Sequence, residues 1–194
     1  QDDGLLQARE ILNLRFSAAL VTLSACDTSA GAQLGQDGVA SLVLASTSAG
    51  LPEYTREIER LRKELPPDIY TGMVEYERAG NYQSPEYKAG LLEFYQLHLC
   101  RLSTWSQMLI DNVRNITGNP VYETMQGPNE FVITGNLRTW DRTDRLGAIG
   151  APTLITVGRY DEATPAGAAT LRRGIASARM HVFEQGDADA ITGK

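Results

Sequence analysis

Apolar side chains at Leu5, Leu6, Ile11, Leu12, Leu14 and Phe16 repeat with the spacing of one helix face, so residues 5–16 are predicted to form an amphipathic helix. Residues 19–24 are short, apolar and partly β-branched, the pattern of a buried strand. A Gly-containing loop and a short helical piece at 30–38 lead to a second such run at 39–47. Strand, short crossover and strand is the rhythm of a parallel sheet in an α/β protein. From about residue 52 to 145 the rhythm changes. Residues 53–65 form a charged helical pattern with Ile58, Leu61 and Leu65 on one face, closed by Pro66 and Pro67. Residues 84–102 open with a Ser-Pro-Glu helix start and are strongly apolar on one side. The stretch TGNPVYETMQGPNEFVITGNL is rich in Gly, Asn and Pro, and it predicts loops linking short elements. The sheet pattern then returns, with a strand at 153–157, a helix at 165–175 and a strand at 178–184. The expected architecture is α/β: an N-terminal α/β segment (1–50), a helical cap (51–145) and the remainder of the sheet domain (146–194).

Composition narrows the function classes. A formal charge of −6 and a pI near 5.0 argue against a nucleic-acid partner, which needs clustered Lys and Arg. No apolar run approaches the roughly 18 residues of a membrane span. The acidic start QDDGLLQARE lacks the order of a signal peptide. Cys26 and Cys100, with His98 and His181, are too few and too dispersed for a disulfide framework or a zinc site. A cytoplasmic protein without metal or cofactor is expected.

Two positions stand where chemistry is often placed. Cys26 ends an apolar strand where a turn must begin, so it is either a nucleophile or a small cysteine closing a strand. Asp161 follows another apolar strand and precedes a helix, which suits an acid that orients a histidine, or a loop acid with no such role. The histidines offer little to pair with either. His181 lies inside a strand pattern and reads as packed or edge-exposed; His98 lies in the apolar cap helix and reads as a core or cap-surface residue.

The segments EFYQLHLCRL, NPVYETMQGPNEFVITGNLRTWDRTDRL and PTLITVGRYDEATP resemble a proline iminopeptidase of the α/β-hydrolase fold, over residues 41–184. The resemblance implies an α/β-hydrolase core under a helical cap. It also implies cofactor-free release of an N-terminal proline from short peptides by a Ser-His-Asp triad. Carried over by position, it makes Asp161 the triad acid and makes Glu130 and Glu162 the acidic pair that binds the substrate's free α-amino group. The first forty residues, with ALVTLSACDTSAGAQLGQDGVASL, resemble the cysteine segment of CHAT caspase-like peptidase domains, in which the cysteine is the nucleophile and its histidine lies upstream. The chain therefore reads as a composite or a truncation, joined near residues 38–44.

Neither resemblance is complete. The glycine-rich serine elbow is missing from VTLSACDTSAG, where only Ser24 and Cys26 could serve. The place of the hydrolase histidine reads QGDADA, and no histidine precedes Cys26. The expected protein is peptidase-like with an incomplete triad and with weak or no turnover. The alternatives are a non-catalytic binder of peptide N-termini and a fragment of a CHAT-like cysteine peptidase. The shortened sheet is expected to be patched by the N-terminal helix and strand, or covered by a second copy or another partner.

Overall fold

The computed structural model describes residues 21–24 and 41–186. Cys26, the helix expected at 5–16 and the piece expected at 30–38 lie outside these residues. Four strands, β1 (Val21–Ser24), β2 (Leu42–Ala45), β3 (Thr153–Gly158) and β4 (Ala178–Phe183), form one sheet in that order. All three pairings are parallel, and the register runs Ser24, Ala45, Thr156, His181 across the sheet. The β-branched and apolar runs identified above thus form the sheet, and its C-terminal edge collects the loops that follow each strand.

Helix α6 (Pro165–Gly174) fills the β3–β4 crossover. Its start is fixed by Pro165 and by the Thr164 hydroxyl, which accepts the Gly167 N–H at 3.2 Å. Ala168 and Leu171 bury one face of the helix against Leu44, Ile155, Val157 and Ala178. Strand side chains alternate between sheet faces. The other face therefore carries Leu154, Arg179, His181 and Phe183, all exposed. His181 is thus the edge-exposed histidine of the two options its sequence left open, and its ring stands edge-on to Phe183 at 4.7 Å.

Between β2 and β3 the chain makes a long helical excursion. Its neck is closed by an antiparallel bridge between Gly50 and Asp141, with Leu51 N–H bonded to Trp140 O and Arg142 N–H to Ala49 O, both at 2.9 Å. The two segments approach so closely that a Cβ on Gly50 would stand 2.9 Å from Asp141 Cγ. Beyond the neck lie α1 (Leu51–Arg62), α2 (Pro67–Arg78), α3 (Pro85–His98), α4 (Gln107–Ile116), α5 (Pro120–Met125) and a 3-10 turn, Thr143–Ala148. Pro66–Pro67 separates α1 from α2, because Pro67 has no N–H to continue the first helix but suits the first turn of the second. Ser84 caps α3 by accepting the Tyr87 N–H at 3.1 Å. These helices share a second core, in which Ile58, Leu61, Met73, Tyr87, Phe94 and Phe131 are buried. Among the described residues no helix is long and apolar enough to cross a membrane.

Candidate active site at the cap–sheet junction

Asp161 stands on the loop between β3 and α6, at the C-terminal edge of the sheet, and is 1% exposed. Its Oδ1 accepts the Ala163 N–H at 2.8 Å. Its Oδ2 accepts the Ser46 hydroxyl at 2.5 Å and the Gly158 N–H at 3.4 Å. The short Ser46 contact has the length of a hydroxyl bonded to a carboxylate. Ser46 follows β2 directly and adopts φ 45°, the left-handed region that side chains other than glycine seldom occupy. A backbone bond from its N–H to Thr156 O at 2.9 Å holds that conformation in place. Sequence reading missed Ser46; its position one residue past a buried strand, beside the strand that bears Asp161, was the signal available.

Glu162 is also buried, at 8% exposure, and its Oε2 has no hydrogen-bond partner among the described residues. Burial holds its carboxyl well above the usual carboxylate range, and the charges of Glu130 and Asp161 push it the same way. It borders a cavity of about 10 Å³, shared with Tyr54, Glu57 and Thr164, which has room for about one water-sized group. Glu130 comes from the cap, on the loop after α5. The Tyr95 hydroxyl, from α3, donates to Glu130 Oε2 at 2.7 Å. Burial and the two glutamates keep the Tyr95 hydroxyl protonated well beyond its ordinary range.

The Glu130 loop is set by a polar network that sequence reading also missed. Arg62 is buried, pairs with Glu77 at 2.8 Å, and lies 4.6 Å from the centre of the Phe131 ring. The Tyr87 hydroxyl donates to the same Glu77 oxygen at 3.0 Å and accepts from Asn129 Nδ2 at 2.6 Å. Asn129 Oδ1 then accepts the successive N–H groups of Phe131 and Val132, at 2.9 and 3.0 Å, which fixes the turn that follows Glu130. Gly127, at φ 140°, and Gly135 are needed close by, since a Cβ on either would meet backbone atoms at 2.3 and 2.1 Å. Replacing Tyr87 by Phe leaves Glu77 and Asn129 short of a buried partner. It is expected to cost about 1–3 kcal/mol in a urea denaturation curve.

Of the candidate site residues, Asp161 and Glu162 are adjacent on one loop, and Glu130 approaches from the cap closely enough to shift the Glu162 carboxyl. Neither histidine hydrogen-bonds Asp161: His98 Nδ1 pairs with Tyr160 O at 2.9 Å, and His181 faces away beside Phe183. Cys100, two residues past α3, is buried. Ser24 ends β1 in register with Ala45 and Thr156, so the chain leaves β1 at the edge that carries Ser46 and Asp161.

A parallel sheet with a buried acid at its C-terminal edge and a helical excursion above it defines the class: the fold is that of the α/β hydrolases. Within that class the chain is similar to proline iminopeptidases. It is 38% identical to the proline iminopeptidase of Thermoplasma volcanium over 143 residues, 74% of this chain and 48% of the relative. It is 32% identical to that of Lactobacillus helveticus over 180 residues, 92% of this chain and 58% of the relative. The crystal structure of VinJ superposes with a TM-score of 0.75 at 35% identity, covering 79% of this chain and 52% of VinJ. The Mycobacterium smegmatis proline iminopeptidase gives 0.72 at 32% identity, covering 82% of this chain and 54% of that one. The chain thus spans about half the length of the relatives it matches. The family model of the CHAT domain matches residues 1–75, which extends past the first forty residues into α1 and α2. The Lactobacillus match, over 92% of the chain, must include much of that same N-terminal segment. Both likenesses therefore cover the segment that includes β1.

Proposed function

We propose that this protein takes peptides by their free N-terminus, as a proline iminopeptidase-like peptidase with weak or no turnover. The observation that carries this reading is Glu162: a carboxylate more than nine-tenths buried, with an unpartnered oxygen, held near a second carboxylate on the cap. A buried, unpaired carboxyl is costly unless a cation or a proton arrives. A peptide ammonium supplies the cation, and Glu130 supplies the second carboxylate that makes a protonated amine preferable to an amide nitrogen. On this reading the empty site holds a proton on Glu162, and substrate binding exchanges that proton for the ammonium. Short peptides with a free N-terminus are the ligands, in the cytoplasm and without a cofactor. A second copy or another partner covers the open sheet face that bears Leu154 and Phe183. Asp161 takes the role of triad acid, and weak turnover is supported by the engagement of both histidines elsewhere.

L-Proline 4-nitroanilide and L-prolinamide test the proposal together. Binding of prolinamide by calorimetry, absent for N-acetyl-prolinamide and weakened about tenfold or more in Glu130→Gln, is the expected result. Equal affinity for the acetylated compound would overturn it. Turnover of the anilide above background separates a slow enzyme from a silent binder. The CHAT match over residues 1–75 favours a second reading, with Cys26 as nucleophile. Rapid labelling of Cys26 at neutral pH by a thiol-directed probe, sparing the buried Cys100, would support it.

A further inference from the structure

The two acids of the amine site belong to different parts of the molecule, one on the cap and one on the sheet loop, yet they must meet a single ammonium. Helix α3 touches both. Tyr95 bonds the Glu130 side chain at 2.7 Å. His98, three residues further on the same helical face, closes α3. Its carbonyl has no intrahelical donor at this position, and it accepts the Glu162 N–H at 3.3 Å. Its ring Nδ1 meets Tyr160 O at 2.9 Å. One residue therefore grips the loop on both sides of Asp161. Arg101, just beyond, lays its guanidinium 3.7 Å from the centre of the Tyr160 ring and reinforces the grip.

Burial favours the neutral ring, and the geometry sets its tautomer. A carbonyl can only accept, so Nδ1 carries the hydrogen and the neutral ring leaves a lone pair on Nε2. That nitrogen is buried and has no partner among the described residues, while the ring packs 4.8 Å from the Phe94 ring. Among the described residues, the bond to Tyr160 is the polar contact that the side chain makes.

We propose that His98 is a positioning residue that sets Glu162 against Glu130 so that both carboxylates can share one ammonium, a role that rests on the amine-binding reading above. Tyr95 and His98 make α3 the spacer between the two acids, and the acids themselves do the binding.

Asparagine can place an amide N–H where Nδ1 stands, whereas phenylalanine keeps the ring and loses the donor. The test uses His98→Asn and His98→Phe in the whole chain, with His98→Leu replacing the Phe variant if that one does not fold. Two quantities are read: amide hydrogen exchange over residues 158–164, and calorimetric affinity for L-prolinamide. In His98→Phe, exchange in this segment is expected to rise about tenfold and the Kd for prolinamide to rise about tenfold, with the melting transition still cooperative. His98→Asn is expected to stay within about twofold of wild type in both. A Phe variant that leaves both quantities unchanged would overturn the proposal, as would an Asn variant as impaired as the Phe variant. Faster exchange with unaltered prolinamide affinity would reduce His98 to a purely structural clasp and also overturn it. Wild-type protein that binds no prolinamide overturns the amine reading itself, and the positioning role with it. The exchange comparison then still reports whether the clasp exists, so the two failures are distinguishable.

Discussion

Replacing Glu162 by Gln is expected to make the protein more stable at neutral pH and to weaken prolinamide binding by tenfold or more. The side chain is 8% exposed, one oxygen lacks any partner among the described residues, and Glu130 and Asp161 repel its charge. Burial is the largest cause, so the folded chain resists ionisation that the unfolded chain accepts freely. The sign follows from linkage. At pH 4 the unfolded chain also holds most of this proton, and burial of the group costs little. As the pH rises past the ordinary carboxylate range the unfolded state ionises first, and folding stability falls until the raised folded value is passed. Glutamine has nearly the same shape and no charge to desolvate, which should return about 1–2 kcal/mol, or about 2–8 °C in melting temperature. The gap between variant and wild type should therefore widen from pH 4 to pH 7 when both are melted at each pH. A gap independent of pH would show that Glu162 is not held uncharged by its surroundings. Such opposition between stability and binding is what a buried carboxyl without a hydrogen-bond partner produces at the proposed amine site.

Much of this was readable in the chain. The strands were legible as short apolar runs bounded by turn residues, and the helical pattern between the last two implied a parallel crossover. The structure places β3 at Thr153–Gly158, one residue past the expected end, and α3 at Pro85–His98, four residues short of it. The helix stops early because Leu99 and Cys100 both bond back to Tyr95 O and the chain turns there. Asp161 was visible because a strand–loop–helix pattern marks the C-terminal edge of a parallel sheet, whereas Glu162 and Glu130 came only from the resemblance. Arg62, Glu77, Tyr87 and Asn129 were not visible. They are spread over 68 positions of sequence and resemble ordinary surface polars until the cap folds and buries them together. Nor was the left-handed Ser46, since serine carries no local signal for a positive φ. His98 was read as a core or cap-surface residue from the apolar character of its helix; its bond to Tyr160, 62 residues away, is a tertiary fact.

Asp161 shows how a candidate site residue can be indispensable to the fold before any chemistry is asked of it. Asp161→Ala is expected to lower stability by about 3 kcal/mol, because the buried Ser46 hydroxyl and the Ala163 and Gly158 N–H groups would lose their acceptor. Loss of activity in that variant would say nothing about catalysis. Asp161→Asn is the informative change. Its carbonyl can keep the Ala163 N–H, and the Ser46 hydroxyl can turn round to accept from the new amide, while the long Gly158 contact becomes opposed. The expected cost is about 1 kcal/mol by urea denaturation. Ser46→Ala on its own frees the carboxylate from the hydroxyl, and the double variant measures the coupling between the two, expected at about 0.5–3 kcal/mol. A coupling near zero would mean that the 2.5 Å contact does not organise the loop. If Asp161→Asn melts close to wild type, any turnover it loses belongs to the negative charge. A carboxylate that orients or stabilises a base must keep that charge, whereas one that only braces the β3–α6 loop can surrender it to an amide.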